Sequence, residues 1–370
     1  MLVVAWCAAW ALAPHRPRAP RPVAPSFWFS FAVNELPHLA LAWLVVVTLA
    51  TAVEGALDSP GAYAVAGVAA LTAGGLGVIA RRGRRAEAEV RRALHAQGIA
   101  PPHPVQDGAG RPSGVRLIVW PFSVRPRGVR RVKDVAYGED GPATRLDLYL
   151  PRRQAGAAPV LVFFHGGGFR GGSKSREAKP LLYRLAASGW LCASADYGLA
   201  PRASYAEALA DARRAVDWVR QHAETYGADP ESIYVAGGSA GAHLAAVLAL
   251  AGPDITTGAR SAPDVRGAVT LFGYYGPVRN PQGPSSPFDL IGPQAPPFLV
   301  VHGDNDSLIP VGTARDFARR LATASAGPAV FVELGGAEHS FDLFDSLRFR
   351  AVIDGIEAFL YSVEHDRRPG

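Results

Sequence analysis

The sequence predicts an α/β fold, a mostly parallel, doubly wound sheet with helices on both faces, preceded by an N-terminal transmembrane helical hairpin. Three observations carry that expectation. From about residue 125 to 362, short apolar runs alternate with longer amphipathic ones, the pattern of repeated strand–helix units. Several short runs are apolar throughout, as strands covered on both faces must be. Ahead of them, residues 61–80, GAYAVAGVAALTAGGLGVIA, form a run of twenty residues without a charge. At about 1.5 Å per residue, that is the reach of a bilayer's hydrocarbon core.

The N-terminal part is read first. Residues 1–13, MLVVAWCAAWALA, are apolar but short for a span, and they lack the basic start of a signal peptide. SFWFSF (26–31) reads as an aromatic belt at a membrane interface. Residues 37–53, PHLALAWLVVVTLATAV, form a second span, joined to 61–80 by the acidic turn EGALDSPG. Arginines bracket the pair, in HRPRAPRP (15–22) and RRGRR (81–85), while the connecting turn has none. Cytoplasmic loops carry the excess of Lys and Arg, so both ends of the hairpin are expected in the cytoplasm. A buried hairpin of a soluble domain is the competing reading, and the charge bracket disfavours it. After Arg85 come a charged helical pattern ending at Gly98 and the Pro/Gly-rich IAPPHPVQDGAGRPSG, a linker. Composition therefore divides the chain into 1–85, 86–124 and a globular domain over 125–370.

In that domain TRLDLYL (144–150) alternates in period two and reads as a strand. PVLVFFHG (159–166) and WLCASADY (190–197) read as buried strands flanking a helical stretch over 175–188. SYAEALADARRAVDWVRQHAETYG (204–227) is an amphipathic helix, with early acids and a closing glycine. Strands are expected at 232–238, 265–273, 297–303 and 329–336, and helices at 240–251, 313–324 and 346–364.

The chain of 370 residues has a net charge of +6 and a pI near 9.5. A nucleic-acid partner is disfavoured all the same. Lys133, Lys174 and Lys179 are the only lysines, and no aromatic RNA-binding motif or zinc-finger spacing accompanies the arginines. Cys7 and Cys192 give neither a disulfide framework nor a metal site.

The chemistry gathers at strand ends. VAGGSAGAHL (235–244) places Gly237-Gly238-Ser239-Ala240-Gly241 between a strand and a helix, the context of a G-x-S-x-G nucleophile elbow. A turn that sharp leaves no room for side chains two residues either side, so glycine stands there. The bland alternative is an ordinary glycine-rich strand–helix turn. A hydroxyl also needs a base. His339, after the strand at 329–336, is the candidate, against the reading of a surface-loop histidine. Asp304 and Asp306, after the strand at 297–303, are both candidates to orient it, against an Asx turn before Pro310. The triple glycine of HGGGF (165–169) lets backbone N–H groups approach an oxyanion. A phosphate loop would need the G-x-x-x-x-G-K-S/T spacing of a P-loop, which this stretch lacks.

Four motifs in order, HGGGF, DYGLAP (196–201), GGSAG and HGDND…EHSF, resemble the α/β-hydrolase superfamily, and within it the hormone-sensitive-lipase-like esterases. The resemblance covers residues 130 to 362. It implies an α/β-hydrolase fold, a triad of Ser239, Asp306 and His339, and oxyanion donors in the N–H groups of Gly167, Gly168 and Ala240. It prefers Asp306 to Asp304 and gives His165 a supporting place. The chain departs from the family at Gly238, where aspartate is common, at Gly198 and Arg202 in the DYRLAPE position, and at Phe169 for a tryptophan. The stretch from Gly273 to Pro297 is too short for a full helical cap. With its apolar N-terminus the chain also resembles membrane-attached actinobacterial esterases and isoprenylcysteine methylesterases.

The function expected from all this is a serine carboxylesterase acting on small or lipid-like esters, held at the membrane by its N-terminal helices, with no metal or organic cofactor. An amidase or peptidase with the same triad is the alternative, and a non-catalytic ligand-binding hydrolase fold stands behind both.

Overall fold

The computed structural model describes residues 1–14, 25–53, 60–100, 121–122, 124–139, 141–153, 156–253, 264–278, 283 and 286–365. The basic stretch 15–22, residues 54–59 of the expected turn and residues 101–114 of the expected linker lie outside them.

Apolar runs become the middle of a single eight-stranded sheet. Its strands are β1 (Val129–Ala136), β2 (Arg145–Pro151), β3 (Ala158–Phe164), β4 (Leu191–Ala195), β5 (Ala228–Gly238), β6 (Gly267–Leu271), β7 (Phe298–Gly303) and β8 (Ala329–Leu334). Their spatial order is β1-β2-β4-β3-β5-β6-β7-β8. β2 runs antiparallel to both neighbours, and from β4 to β8 every pairing is parallel. The strands that read as continuous apolar runs are these buried parallel ones, with β4 and β6 buried at every residue. β1 escaped the sequence reading. Its VRRVKDVA carries four charges and pairs only with β2 at the sheet edge, where such charges blunt edge-to-edge association.

Two cores cover the sheet. On one face lie α6 (Tyr205–His222), α7 (Ala240–Ala251) and α9 (Val311–Ala324). α6 begins as its sequence promised. Ser204 caps it by accepting the Glu207 N–H, and Glu207 reaches back to the Ser204 N–H. On the other face lie α5 (Lys179–Ala187), α10 (Leu347–His365) and the second half of α4 (Pro60–His95). The short α8 (Pro287–Leu290) is the only helix among the described residues between Gly273 and Pro297.

The N-terminal helices are α1 (Leu2–Leu12), α2 (Pro25–Glu35), α3 (Pro37–Val53) and α4. Ala8, Ala11, Leu44, Ala69, Leu76 and Ile79 join α1, α3 and α4 in a small core of their own. The charged pattern after Arg85 is not a separate helix. α4 is continuous for 36 residues, because Arg, Ala and Glu are good helix formers and no proline interrupts them. Its Ala86, Val90 and Leu94, followed by Ile99, enter the sheet's second core. Val90 fills the space beside Gly355 of α10, where an added Cβ would lie 2.3 Å from its methyl. The SFWFSF stretch becomes α2, which meets α3 at 89°.

Candidate active site

All the sequence-derived site residues lie beyond the carboxyl ends of the parallel strands, where a doubly wound sheet leaves room for a ligand. β3 leads into Gly166–Gly168, β5 into Ser239, β7 into Asp306 and β8 into His339.

Ser239 stands at φ 53°, ψ −114°, a backbone conformation that L-residues rarely adopt. The turn is held by its own bonds: the Ser239 N–H donates to the Leu271 carbonyl at 3.0 Å, and the His243 N–H donates to the Ser239 carbonyl at 3.2 Å. The flanking glycines are steric necessities. A Cβ on Gly237 would lie 2.3 Å from the Gly241 carbonyl carbon, and one on Gly241 would lie 2.0 Å from the Phe164 carbonyl oxygen. The serine therefore begins α7, with Ala240 as the first helical residue behind it. Gly166 packs against it, since a Cβ there would meet the Ser239 Cβ at 3.1 Å. Gly167, at φ 112°, lies so close to Gly171 that a side chain would collide with its carbonyl at 2.1 Å.

Asp306 and His339 are brought into contact. The His339 Nδ1 lies 2.7 Å from the Asp306 Oδ2. The other carboxylate oxygen accepts the N–H groups of Leu308 at 2.9 Å and Ile309 at 2.7 Å. Asp304 does a different job and accepts the Gly336 N–H at 2.6 Å, tying the β7 loop to the β8 loop. Burial alone would raise the Asp306 carboxyl, but His339 and His302 hold it well below the usual carboxylate range. Burial likewise pulls on His339, yet the Asp306 carboxylate, with Glu338 and Glu177 further off, raises it overall. An imidazole so placed can take a proton and be stabilised as it does.

Several participants were not read from the sequence. His302, inside the apolar run of β7, places its Nε2 3.2 Å from Asp306 Oδ2 and 3.0 Å from the Ile309 carbonyl. Glu338 is buried beside the histidine. Its Oε1 accepts the N–H groups of Ser307 at 2.7 Å and His339 at 2.9 Å, and its Oε2 accepts the Ser30 hydroxyl at 2.9 Å. Burial and the charge of Asp306 push this carboxyl up to about 7 against those hydrogen bonds. Glu177 accepts the Gly166 N–H at 2.6 Å. The same carboxylate lies 3.4 Å from where a Cβ on Gly238 would stand, and the Phe272 ring lies 2.8 Å from that point. Gly238 is thus explained: Phe272 and Glu177 already occupy the space an aspartate would need. Phe272 also packs on the His339 ring at 4.8 Å.

Other residues of these motifs fall outside the reacting group. His165 hydrogen-bonds the Gly166 carbonyl at 2.7 Å and stacks on Tyr197 at 4.4 Å, so it braces the glycine loop. His243 is fully buried between Tyr205 and the Tyr274 carbonyl, and burial pulls it down to about 4. Phe169 packs edge-on against Tyr205. At Gly198 an added Cβ would lie 2.6 Å from Ala203, which leaves no room for arginine.

With this geometry in hand, relatives can be placed. The BD-FAE family pattern matches residues 146–274. A probable carboxylic ester hydrolase, LipM of Mycobacterium tuberculosis, is 34% identical over 80% of this chain and 78% of its own. The chain belongs to the hormone-sensitive-lipase-like esterases of the α/β-hydrolase superfamily. Esterase LipQ of the same organism is 33% identical over 72% of this chain and 71% of its own. Among solved structures, a thermophilic esterase from Thermogutta terrifontis, Est2 with butyrate bound, superposes with a TM-score of 0.56 at 27% identity. It covers 66% of this chain and 97% of that one. This esterase is accordingly an ester-cleaving hydrolase, with a mostly parallel eight-stranded sheet of the α/β-hydrolase fold.

Proposed function

We propose that this esterase is a membrane-held serine carboxylesterase that cleaves lipid-like esters through an acyl-enzyme. Ser239 attacks the ester carbonyl while His339 takes its proton. His339 returns that proton to the departing alcohol, and Asp306 orients the imidazole and balances its charge. The N–H groups of Gly167, Gly168 and Ala240 face the oxyanion of the tetrahedral intermediate. Water then attacks the acyl-enzyme by the same proton path and releases the acid. The observation that carries this reading is the Asp306–His339 contact at 2.7 Å, at the same edge of the sheet on which β5 ends in a serine held at φ 53°. The membrane part rests on α4, whose apolar window is only 28% buried, and on the arginines that follow it. Those arginines favour a catalytic domain, residues 125–370, on the cytoplasmic side.

A fluorophosphonate probe is expected to label Ser239, and the labelled protein to sediment with membranes. Ser239→Ala should lose both the label and ester turnover. Label surviving in that variant would overturn the assignment of the nucleophile, and label confined to the soluble fraction would overturn the membrane reading.

The base must be neutral to act. With His339 raised above its ordinary value, kcat/KM is expected to be full at higher pH and to fall as pH drops through a midpoint above about 6.5. Glu338, whose carboxyl is ionised only above about 7, adds negative charge beside His339 in that range, so Glu338→Gln should move the upper part of the acid limb to lower pH. Initial rates on a water-soluble ester from pH 5 to 9 check this, and a limb that stays in place or rises contradicts the electrostatic account.

A further inference from the structure

α2 is built inside out for a protein in water. Its polar residues Ser26, Ser30 and Asn34, spaced by four, are all buried, as is Glu35. Its outward side shows Trp28 at 58% and Phe29 at 42% exposure. A helix on an aqueous surface has the opposite arrangement, with apolar residues inward and polar residues out.

The buried side of α2 meets the catalytic domain through Ser30, Glu35 and two inward phenylalanines, while the Ser26 hydroxyl and the Asn34 side-chain amide are buried without a hydrogen-bond partner among the described residues. Ser30 donates to Glu338, the neighbour of His339. Phe27 lies edge-on to the His339 ring at 6.2 Å, and Phe31 stacks on Phe344 at 6.0 Å. Glu35 forms a buried ion pair with Arg348 and accepts the Ser346 hydroxyl at 2.5 Å. From α1, the Ala11 carbonyl accepts the side-chain amide of Asn305, next to Asp306, at 3.4 Å.

The outer side continues into apolar surface. Trp6 packs on Phe29 at 6.3 Å, and Leu2 and Val3 of α1 are exposed beside it in sequence. Trp43, Val46 and Leu49 of α3 are exposed as well. Among the described residues, the large exposed apolar side chains beyond residue 80 are few: Phe122, Val124, Leu347 and Tyr361. Since α3 leaves α2 at 89°, a bilayer crossed by α3 and α4 would contain α2 lying in its plane.

We propose that α2 lies flat in the boundary between headgroups and acyl chains, and that esters reach Ser239 from the leaflet along this helix. The occupant of the Trp28–Phe29 face is lipid bilayer. The proposal rests on the esterase reading above and adds the route and physical state of the substrate. Trp28 and Phe29 are exposed and their ring contacts are with Phe27, Phe31 and Trp6, not with Ser239, Asp306 or His339, so a water-soluble ester should not need them.

The test uses the full chain in vesicles of phosphatidylcholine and phosphatidylglycerol. Trp28→Ser/Phe29→Ser is expected to leave kcat/KM on p-nitrophenyl acetate within twofold and to lower turnover of vesicle-dissolved p-nitrophenyl palmitate tenfold or more. In parallel, the fluorescence difference between wild type and Trp28→Phe isolates Trp28, and brominated lipid should quench it. Equal rates on both esters in the double variant, or an equal fall in both, overturns the proposal. So does an unquenched Trp28 with the detergent-solubilised particle changing from two chains to one in the variant, which would assign the face to a second copy. Failure of the esterase reading shows separately, as turnover retained by Ser239→Ala.

Discussion

Asp306→Asn is expected to lower kcat by about 10³–10⁴-fold with KM nearly unchanged. The substitution is close to isosteric, and most of the loop around it should survive. Asparagine keeps a carbonyl oxygen that can accept the Leu308 and Ile309 N–H groups, now at 2.9 and 2.7 Å. What changes is the edge presented to His339. The wild-type carboxylate oxygen, 2.7 Å from Nδ1, requires a proton on that nitrogen and leaves Nε2 free to accept. An amide N–H there favours the other tautomer, in which Nε2 already carries a proton and cannot take one from Ser239. The negative charge that stabilises the imidazolium is lost as well. Thermal unfolding of the variant within a few degrees of wild type, measured beside the rates, separates this effect from collapse of the loop. A kcat within tenfold of wild type would mean that His339 is oriented by something other than Asp306.

Gly241→Ala is expected to destabilise the fold by about 3 kcal/mol or more, enough to remove most of the activity with it. The added methyl would stand 2.0 Å from the Phe164 carbonyl oxygen and 2.5 Å from that of His165. Both are backbone atoms at the end of β3, which is locked between β4 and β5 in the middle of the sheet. Neither can retreat without moving the glycine loop that follows. Gly238→Ala is the informative comparison, because its methyl would meet the edge of the Phe272 side chain at 2.8 Å, a group with some freedom to turn. Thermal denaturation should rank Gly241→Ala well below Gly238→Ala. The reverse order would show that strain at the elbow is relieved by backbone movement.

How much was legible in the sequence follows from the range of the forces involved. The elbow was readable because its constraint is local: five residues between a strand and a helix impose their own sterics. Asp306 and His339 were readable because a parallel sheet gathers its strand ends on one edge, so position along the chain translated into position in space. Glu338 and Ser30 were not readable. They are 308 residues apart, and no periodicity connects a serine in an aromatic stretch to the glutamate beside a catalytic loop. Glu177 was hidden among charged residues that look like solvated surface. The aromatic stretch 26–31 reads as membrane-facing, although Ser30, Phe27 and Phe31 make contacts with the catalytic domain. The run-on of α4 past Arg85 was masked by a change of composition that has no counterpart in the backbone.

That continuous helix carries a mechanical consequence. At about 1.5 Å per residue, α4 is a rod of roughly 54 Å, and its apolar part accounts for roughly 30 Å. The remainder is clamped to α10 and β8 by Val90 at Gly355 and by Glu89, which accepts the Gly335 N–H at 3.1 Å. A rod fixed at both ends transmits orientation. On the membrane reading, the catalytic domain would not swing on a tether. It would keep one tilt toward the lipid surface and turn freely only about the membrane normal. Encounter with substrate then becomes a search in two dimensions, governed by the mole fraction of ester in the leaflet and by lateral diffusion.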